Sequence, residues 1–324
     1  MANFPFVVTL VPKAKLVPIL EALFAVTVWG ASFIATKVAL RDVSPITVVW
    51  LRFAMGVVIL GIAVTGRKQL AWPRKNEWPY FALLGFLGIT FHQWLQSTAL
   101  TTSRASTTAW IVAATPVFMA LLGWLALREK LGWLQVFGIL IAALGVLTVV
   151  TDGNLAAVSL GRFGEPGDVL VLISSFNWAV FSVLSRRGLA SHPAAQMMFY
   201  VMTFGWLFTS VLFFSGPNLG EIPGLTLNGW LGVSFLGVFC SGLAYIAWYD
   251  SLQALPAAQL GAFLYLEPPI AVVVSALILA ESFTWGALLG GGTILLGVWL
   301  VNRHHGSPKA VSPRRARGPN GGTV

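Results

Sequence analysis

Between Gly85 and Val149 the chain carries an apolar stretch that returns 152 residues later, between Gly237 and Val301. The matches fall on residues that punctuate structure. Gly85 recurs as Gly237, Leu100 as Leu252, Ala105 as Ala257 and Pro116 as Pro268. Glu129 recurs as Glu281, Trp133 as Trp285, Gly138 as Gly290, and Leu144-Gly145-Val146 as Leu296-Gly297-Val298. Each copy, taken with the apolar segments in front of it, holds five candidate membrane spans. Because five is odd, the second copy enters the bilayer from the opposite side. Two like-folded halves in opposite orientations are the architecture of many transporters.

The chain is 57% hydrophobic and only 10% charged, whereas a soluble domain carries roughly a quarter charged residues. Apolar surface on that scale needs lipid as its solvent. At about 20 residues per crossing, ten crossings with short loops account for nearly all of the 324 residues. The expected fold is therefore an all-α integral membrane protein: ten transmembrane helices forming two inverted five-helix repeats around a central cavity. The net charge of +9 does not point to nucleic acid, because the basic residues sit at span ends and in the tails. The single cysteine, Cys240, excludes an intrachain disulfide, and no Cys/His spacing suits a metal. No cofactor is expected.

The ten spans run Leu16–Leu40, Pro45–Thr65, Trp78–Leu100, Ala105–Leu127, Leu131–Val150, Asp168–Leu189, Ala194–Ser215, Asn228–Leu252, Ala257–Ala280 and Thr284–Val301. They divide the chain into an N-terminal segment 1–15, a first repeat 16–150, a linker 151–167, a second repeat 168–301 and a tail 302–324. Lys13 and Lys15 precede an apolar run too long for a signal-peptide core, so the first helix is retained. Phe4–Pro12 is read either as lying on the membrane surface or as disordered. The tail is polar and rich in Arg, Pro and Gly, which predicts disorder. With the N-terminus inside, the inner segments hold Lys13, Lys15, Arg67, Lys68, Arg74, Lys75, Arg128, Lys130, Arg186, Arg187 and five basic tail residues. The outer loops hold only Arg41, Arg104 and Arg162. This asymmetry places both termini in the cytoplasm of a multi-pass protein of the bacterial inner membrane.

Several residues are candidates for lining the cavity. In the third span Gly85, Gly88, His92, Gln96 and Ala99 share one helical face. A titratable side chain within a span normally faces the bundle interior or a wet cavity, and the alternative is ordinary packing with a hydrogen-bonded histidine. The eighth span offers Tyr245 at a deeper level than Trp248 and Tyr249. In the first and sixth spans Trp29 and Asn177-Trp178 form matching polar-aromatic faces, and Trp110 and Tyr265 complete the set. Glu267 stands directly before Pro268-Pro269, roughly 15 Å into its helix. Prolines free backbone carbonyls and kink helices, so Pro116, Pro268 and Pro269 mark expected breaks. Glu267 is either a partner for a substrate amine or a proton carrier, or else a structural acid bracing the kink. Arg52 is expected to snorkel outward or to pair with Asp42, away from the site. Gly286 and Gly290 form a GxxxG pattern, read as packing within the bundle. A monomer is expected, with a homodimer as the alternative.

Trp29-Gly30-Ala31-Ser32-Phe33, Ala114-Thr115-Pro116-Val117-Phe118, Glu129 and Leu144-Gly145-Val146 resemble an EamA module. Trp178, Leu266-Glu267-Pro268-Pro269, Glu281 and Leu296-Gly297-Val298 resemble a second one. Together they resemble the drug/metabolite transporter superfamily over about residues 16–302, and are similar to its exporters of amino acids and aromatic amino acids. The resemblance implies ten helices, a central cavity between the halves, and export of small metabolites. It leaves the cargo open.

The expected function is a secondary transporter exporting amino acids or related metabolites by alternating access, with a small-molecule substrate and the lipid bilayer as its partners and no nucleic acid. No Walker-type phosphate loop is present, so ATP is not the direct energy source. No cluster of Lys and Arg at mid-membrane would hold a phosphorylated substrate. A membrane-embedded enzyme is one rival reading, but it needs paired carboxylates or a His/Asp cluster. A channel or non-transporting scaffold is the other.

Overall fold

The computed structural model describes residues 13–127, 130–156, 164–255 and 257–302. The expectations for Phe4–Pro12, Glu129, Arg162 and the tail beyond Asn302 lie outside those residues. The chain is an all-α membrane protein, and no strand occurs among the described residues. In lipid each backbone N–H and C=O must find its partner within the chain, which is why such apolar runs fold as helices.

The helices are α1 (Lys13–Ala39) and α2 (Pro45–Gly66), then α3 over 78–99 and α4 (Ala105–Leu125). There follow α5 (Trp133–Val150), α6 (Pro166–Leu189), α7 (Ala194–Ser215) and α8 (Leu227–Ala254). The last two are α9 (Gln259–Leu279) and α10 (Trp285–Asn302). Among the described residues nine of these are long and apolar enough to cross a membrane. The exception is α3, whose last two turns carry His92, Gln93, Gln96, Ser97 and Thr98.

Contacts between loops sort the helix ends into two groups. At one end Lys37 Nζ donates to Ser103 O at 2.7 Å, and Ser103 Oγ to Asp168 Oδ1 at 2.7 Å. The Asp42 carboxylate there accepts from Thr226 N at 2.9 Å. These contacts join the α1–α2, α3–α4 and α7–α8 connections to the start of α6. At the other end the Arg67 guanidinium meets the Asp250 carboxylate through two 2.6 Å bonds. Tyr80 Oη there donates to Leu184 O at 2.8 Å. Successive helices therefore run in opposite directions, and α3 joins the two ends as its neighbours do.

Four helices depart from α geometry, at related places. α3 widens to a π-helix over Phe86–Phe91, and α8 does so over Phe235–Leu243. α4 breaks into a turn at Ala113 and Ala114, immediately before Thr115-Pro116. α9 tightens to a 3-10 turn over Leu264–Leu266, immediately before Glu267-Pro268. Both prolines thus stand at the start of a new half-helix, where a missing N–H costs nothing. Within each pair the departures overlap under the 152-residue offset.

α5 and α10 pack backbone on backbone. A Cβ on Gly145 would lie 2.8 Å from Gly290 O, and one on Gly138 would lie 2.7 Å from Gly297 O. The two pairings exchange under the same offset. Gly286 abuts the backbone of Asp152 and Gly153, so the GxxxG face of α10 is covered by α5 within this chain. Gly145→Val should lower thermal stability by about 1–3 kcal/mol through overpacking. Gly292→Ala, at a glycine with no heavy atom within 4 Å of its ideal Cβ, should leave it unchanged or raise it. Melting curves in detergent of the two variants beside wild type check both.

Candidate functional site

Trp29 on α1, Arg52 on α2, His92 on α3 and Ser174 on α6 each stand eight residues from the same end of the bundle, counted from Lys37, Ser44, Leu100 and Pro166. At the α-helical rise that is about 12 Å. The four side chains therefore occupy one level, and aromatic rings fill the space between them. Trp29, Trp178, Phe181, Tyr245, Trp248 and Tyr249 belong to a single packed cluster. Trp29 meets Tyr245 edge-on with ring centroids 5.6 Å apart, and Trp178 lies 4.7 Å from the His92 ring.

The π-helical segments fix the rings. Trp29 Nε1 donates to Cys240 O, within the π segment of α8, at 3.1 Å. Asn177 Nδ2 donates to Leu87 O, within that of α3, at 2.7 Å. A π-helical turn misaligns its carbonyls from the regular ladder, and such turns recur at functional sites. Here each receives a donor from the first helix of the opposite half. The Cys240 thiol, itself buried, donates to Val28 O at 3.3 Å. His92 Nδ1 lies 2.8 Å from Ser174 Oγ and 3.2 Å from Ser174 O, so the histidine is both buried and satisfied.

Arg52 corrects the sequence-based expectation. It neither snorkels nor pairs with Asp42, whose carboxylate is occupied by Thr226. Its side chain turns inward and is 5% exposed. Its Nε donates to Ser241 Oγ at 3.1 Å, and its Nη1 donates to Gln93 Oε1 at 3.0 Å. The guanidinium lies 5.0 Å from the Phe53 ring centroid. What turns it inward is the close approach of α8. One turn further along α2, a Cβ on Gly56 would come within 2.8 Å of Ser241 Cβ. Gln93 and the inward turn of Arg52 were missed from the sequence; the signal for them was a charge two turns inside a span, which has to find polar company.

Glu267 opens the second half-helix of α9. Gly30 makes room for it, because a Cβ there would stand 2.8 Å from Glu267 O. Among the described residues no hydrogen bond or ion pair engages its carboxylate. Its counterpart under the offset, Thr115, instead closes its hydroxyl on Val112 O at 2.6 Å.

The remaining candidates lie elsewhere. Trp110 and Tyr265 pack in a different apolar cluster, beside α5 and α10, with the Trp110 ring against Gly291. Tyr265 Oη accepts from Asn302 Nδ2 at 2.6 Å. Gln96 is half-buried one turn beyond His92. Pro116 is half-buried, Pro268 is buried and Pro269 is exposed.

A cavity of about 340 Å³ opens where Lys37, Arg41, Leu100, Thr101, Leu279 and Glu281 meet. It lies at the bundle end, two helical turns beyond Trp29 and His92, and so forms a mouth rather than part of the aromatic cluster. Beside it, Ala280 at φ 54° turns the chain so that Glu281 caps α4. The Glu281 carboxylate accepts from Ala105 N at 2.9 Å, Ser106 N at 3.2 Å and Ser106 Oγ at 2.7 Å, with Lys37 Nζ at 3.7 Å. Burial works against its charge, but the Ser106 hydroxyl, the two amides and Lys37 together hold it below the usual carboxylate range.

The EamA-like transporter family model matches residues 16–151 and 165–303. An uncharacterized transporter of Archaeoglobus fulgidus is 26% identical over 86% of this chain and 96% of its own length. A probable terminal-alkyne amino-acid exporter of Streptantibioticus cattleyicolor is 27% identical over 86% of this chain and 91% of its own length. One solved crystal structure superposes with a TM-score of 0.61 at 20% identity, covering 90% of this chain and 96% of that one, a likeness of fold.

The Glu281 cap has a pH signature. Because the carboxylate is depressed in the folded state, its contribution is complete at neutral pH and disappears as the pH falls through the folded value. Glu281→Ala should cost about 0.5–2 kcal/mol at pH 7, the usual worth of a helix cap. The gap from wild type should close as the pH is taken below about 4.5, which thermal melts across a pH series will show.

Proposed function

The chain belongs to the EamA-like transporter family, and from that premise we propose that it is a secondary carrier exporting amino acids or related small metabolites by alternating access. It is a multi-pass membrane transporter rather than an enzyme. The observation that carries the finer reading is Glu267: a carboxylate without a partner among the described residues, at the break of a membrane helix that packs on α1 next to Trp29. An intramembrane acid is retained against its desolvation cost when something mobile pairs with it. The half-helix that Glu267 begins directs its positive end at the carboxylate, which lowers the cost of ionising it when a cation arrives. A substrate ammonium group or a proton meets that description. The contrast with Thr115, whose hydroxyl is closed on its own turn, supports a role beyond bracing the proline.

Further support comes from the relative named as a probable amino-acid exporter and from the neutral, aromatic surroundings, which suit a small organic cation or zwitterion. In this reading α3 is the tenth crossing, α1–α5 and α6–α10 are the inverted halves, and both termini face the cytoplasm of a bacterial inner membrane. The coverage of the GxxxG face by α5 supports a monomer.

Counterflow in proteoliposomes tests the carrier. Vesicles preloaded with a mixture of unlabelled amino acids should accumulate labelled amino acid transiently, whereas a channel only dissipates the gradient. Glu267→Gln, nearly isosteric, should keep the folded yield and lower exchange at least about tenfold, the loss expected when a charge-assisted contact is removed. Unchanged rates with an unchanged pH profile would show that Glu267 only supports the turn at Pro268.

Reporter fusions test the orientation. Fusions between Lys68 and Arg74 and after Asn302 should read as cytoplasmic, and one within Asp152–Gly167 as external. A cytoplasmic reading within Asp152–Gly167 contradicts the inversion.

A further inference from the structure

Arg52 is a buried cation without an anion. It is 5% exposed, and among the described residues no carboxylate lies within ion-pair distance of it. A guanidinium offers five N–H donors. Ser241 Oγ and Gln93 Oε1 take one each, and Nη2 has no hydrogen-bond partner among the described residues. Removing such a group from water is costly unless it is paired. Neutral acceptors and the Phe53 ring meet only part of that need. Arg52 stands on the level of Trp29 and His92; its partner Ser241 follows Cys240, whose carbonyl holds Trp29, and Glu267 O packs on Gly30, the next residue of α1. Two groups of opposite sign, neither paired among the described residues, thus stand on either side of the Trp29 neighbourhood of α1.

Resting on the exporter reading above, we propose that Arg52 is the carboxylate anchor of the transported molecule, and that together with Glu267 it selects zwitterionic α-amino acids. The chemistry narrows the choice of anion. A single guanidinium presents its free N–H edge to a planar carboxylate. A phosphate dianion would call for several cations and would be repelled by Glu267. A simple amine would leave Arg52 unpaired, and a simple carboxylic acid would leave Glu267 unpaired. Only a molecule carrying both charges answers both residues. Ser241 and Gln93 are positioning residues: they hold the Nε and Nη1 sides of the guanidinium, which leaves Nη2 for the ligand.

The test compares each acid with its own amide. Purified wild-type protein is screened for thermal stabilisation by the twenty protein amino acids, and the strongest is titrated beside its carboxamide and its decarboxylated amine. Wild type should bind the acid at least about tenfold more tightly than either analogue, as for loss of a charge-assisted pair. Arg52→Lys keeps the charge but loses the planar fork, and should weaken the acid about tenfold while shifting the amide less than threefold. Ser241→Ala, a smaller change, should move the acid-to-amide ratio in the same direction should Arg52→Lys fail to fold. Equal wild-type affinity for acid and amide, or a parallel loss of both ligands in the variants, overturns the assignment of Arg52 while leaving the carrier intact. Stabilisation by no amino acid, together with absent counterflow, overturns the amino-acid reading and this one with it.

Discussion

In a hydrocarbon core nothing but the chain itself can answer a backbone carbonyl. Every departure from the α-helical ladder must therefore bring its own donor. This constraint organises the centre of the molecule. The π segments of α3 and α8 turn Leu87 O and Cys240 O toward side-chain donors, and Asn177 and Trp29 supply them from the opposite half. The hydrogen bonds that repair the helices are the same ones that orient the Trp29 and Asn177-Trp178 faces of the central aromatic cluster.

The constraint also explains why the halves interlock rather than stand side by side. α5 and α10 meet through glycines, Gly145 on Gly290 and Gly138 on Gly297, each pairing the image of the other under the 152-residue offset. At the bundle ends the joining is polar: Glu281 caps α4, and Glu221 accepts from Ser44 N at 2.9 Å and Thr47 Oγ1 at 2.6 Å at the start of α2. Backbone contact in the apolar zone and caps at the wet rim divide the work by local dielectric.

Much of this was legible in the sequence. The long apolar runs and their short connections gave the helices, because length and hydropathy are local properties. Proline gave the breaks at Thr115 and Glu267 for the same reason. The grouping of His92, Trp29, Trp178 and Tyr245 in the bundle interior follows because polar and aromatic groups on apolar helices have few places to go. The inward turn of Arg52 was not legible, since a long side chain two turns inside a span can reach for water at the rim or for polar company within the bundle. Which way it turns depends on Gly56 admitting Ser241, a contact between residues 185 positions apart. Trp110 and Tyr265 have the composition of site residues but face the α5–α10 seam, and facing is a property of tertiary packing.

The one thiol in the chain sits at the meeting point of these elements. Cys240 lends its carbonyl to Trp29 and its sulfur to Val28, both on α1, and precedes the serine that holds Arg52. In the alternating-access cycle proposed above, a movement that parts α1 from α8 would uncover that sulfur. Cys240 would then be a native reporter of that cycle: its rate of alkylation by an impermeant reagent, applied from one face and then the other, would read out which side the core faces. No cysteine has to be removed or added to use it.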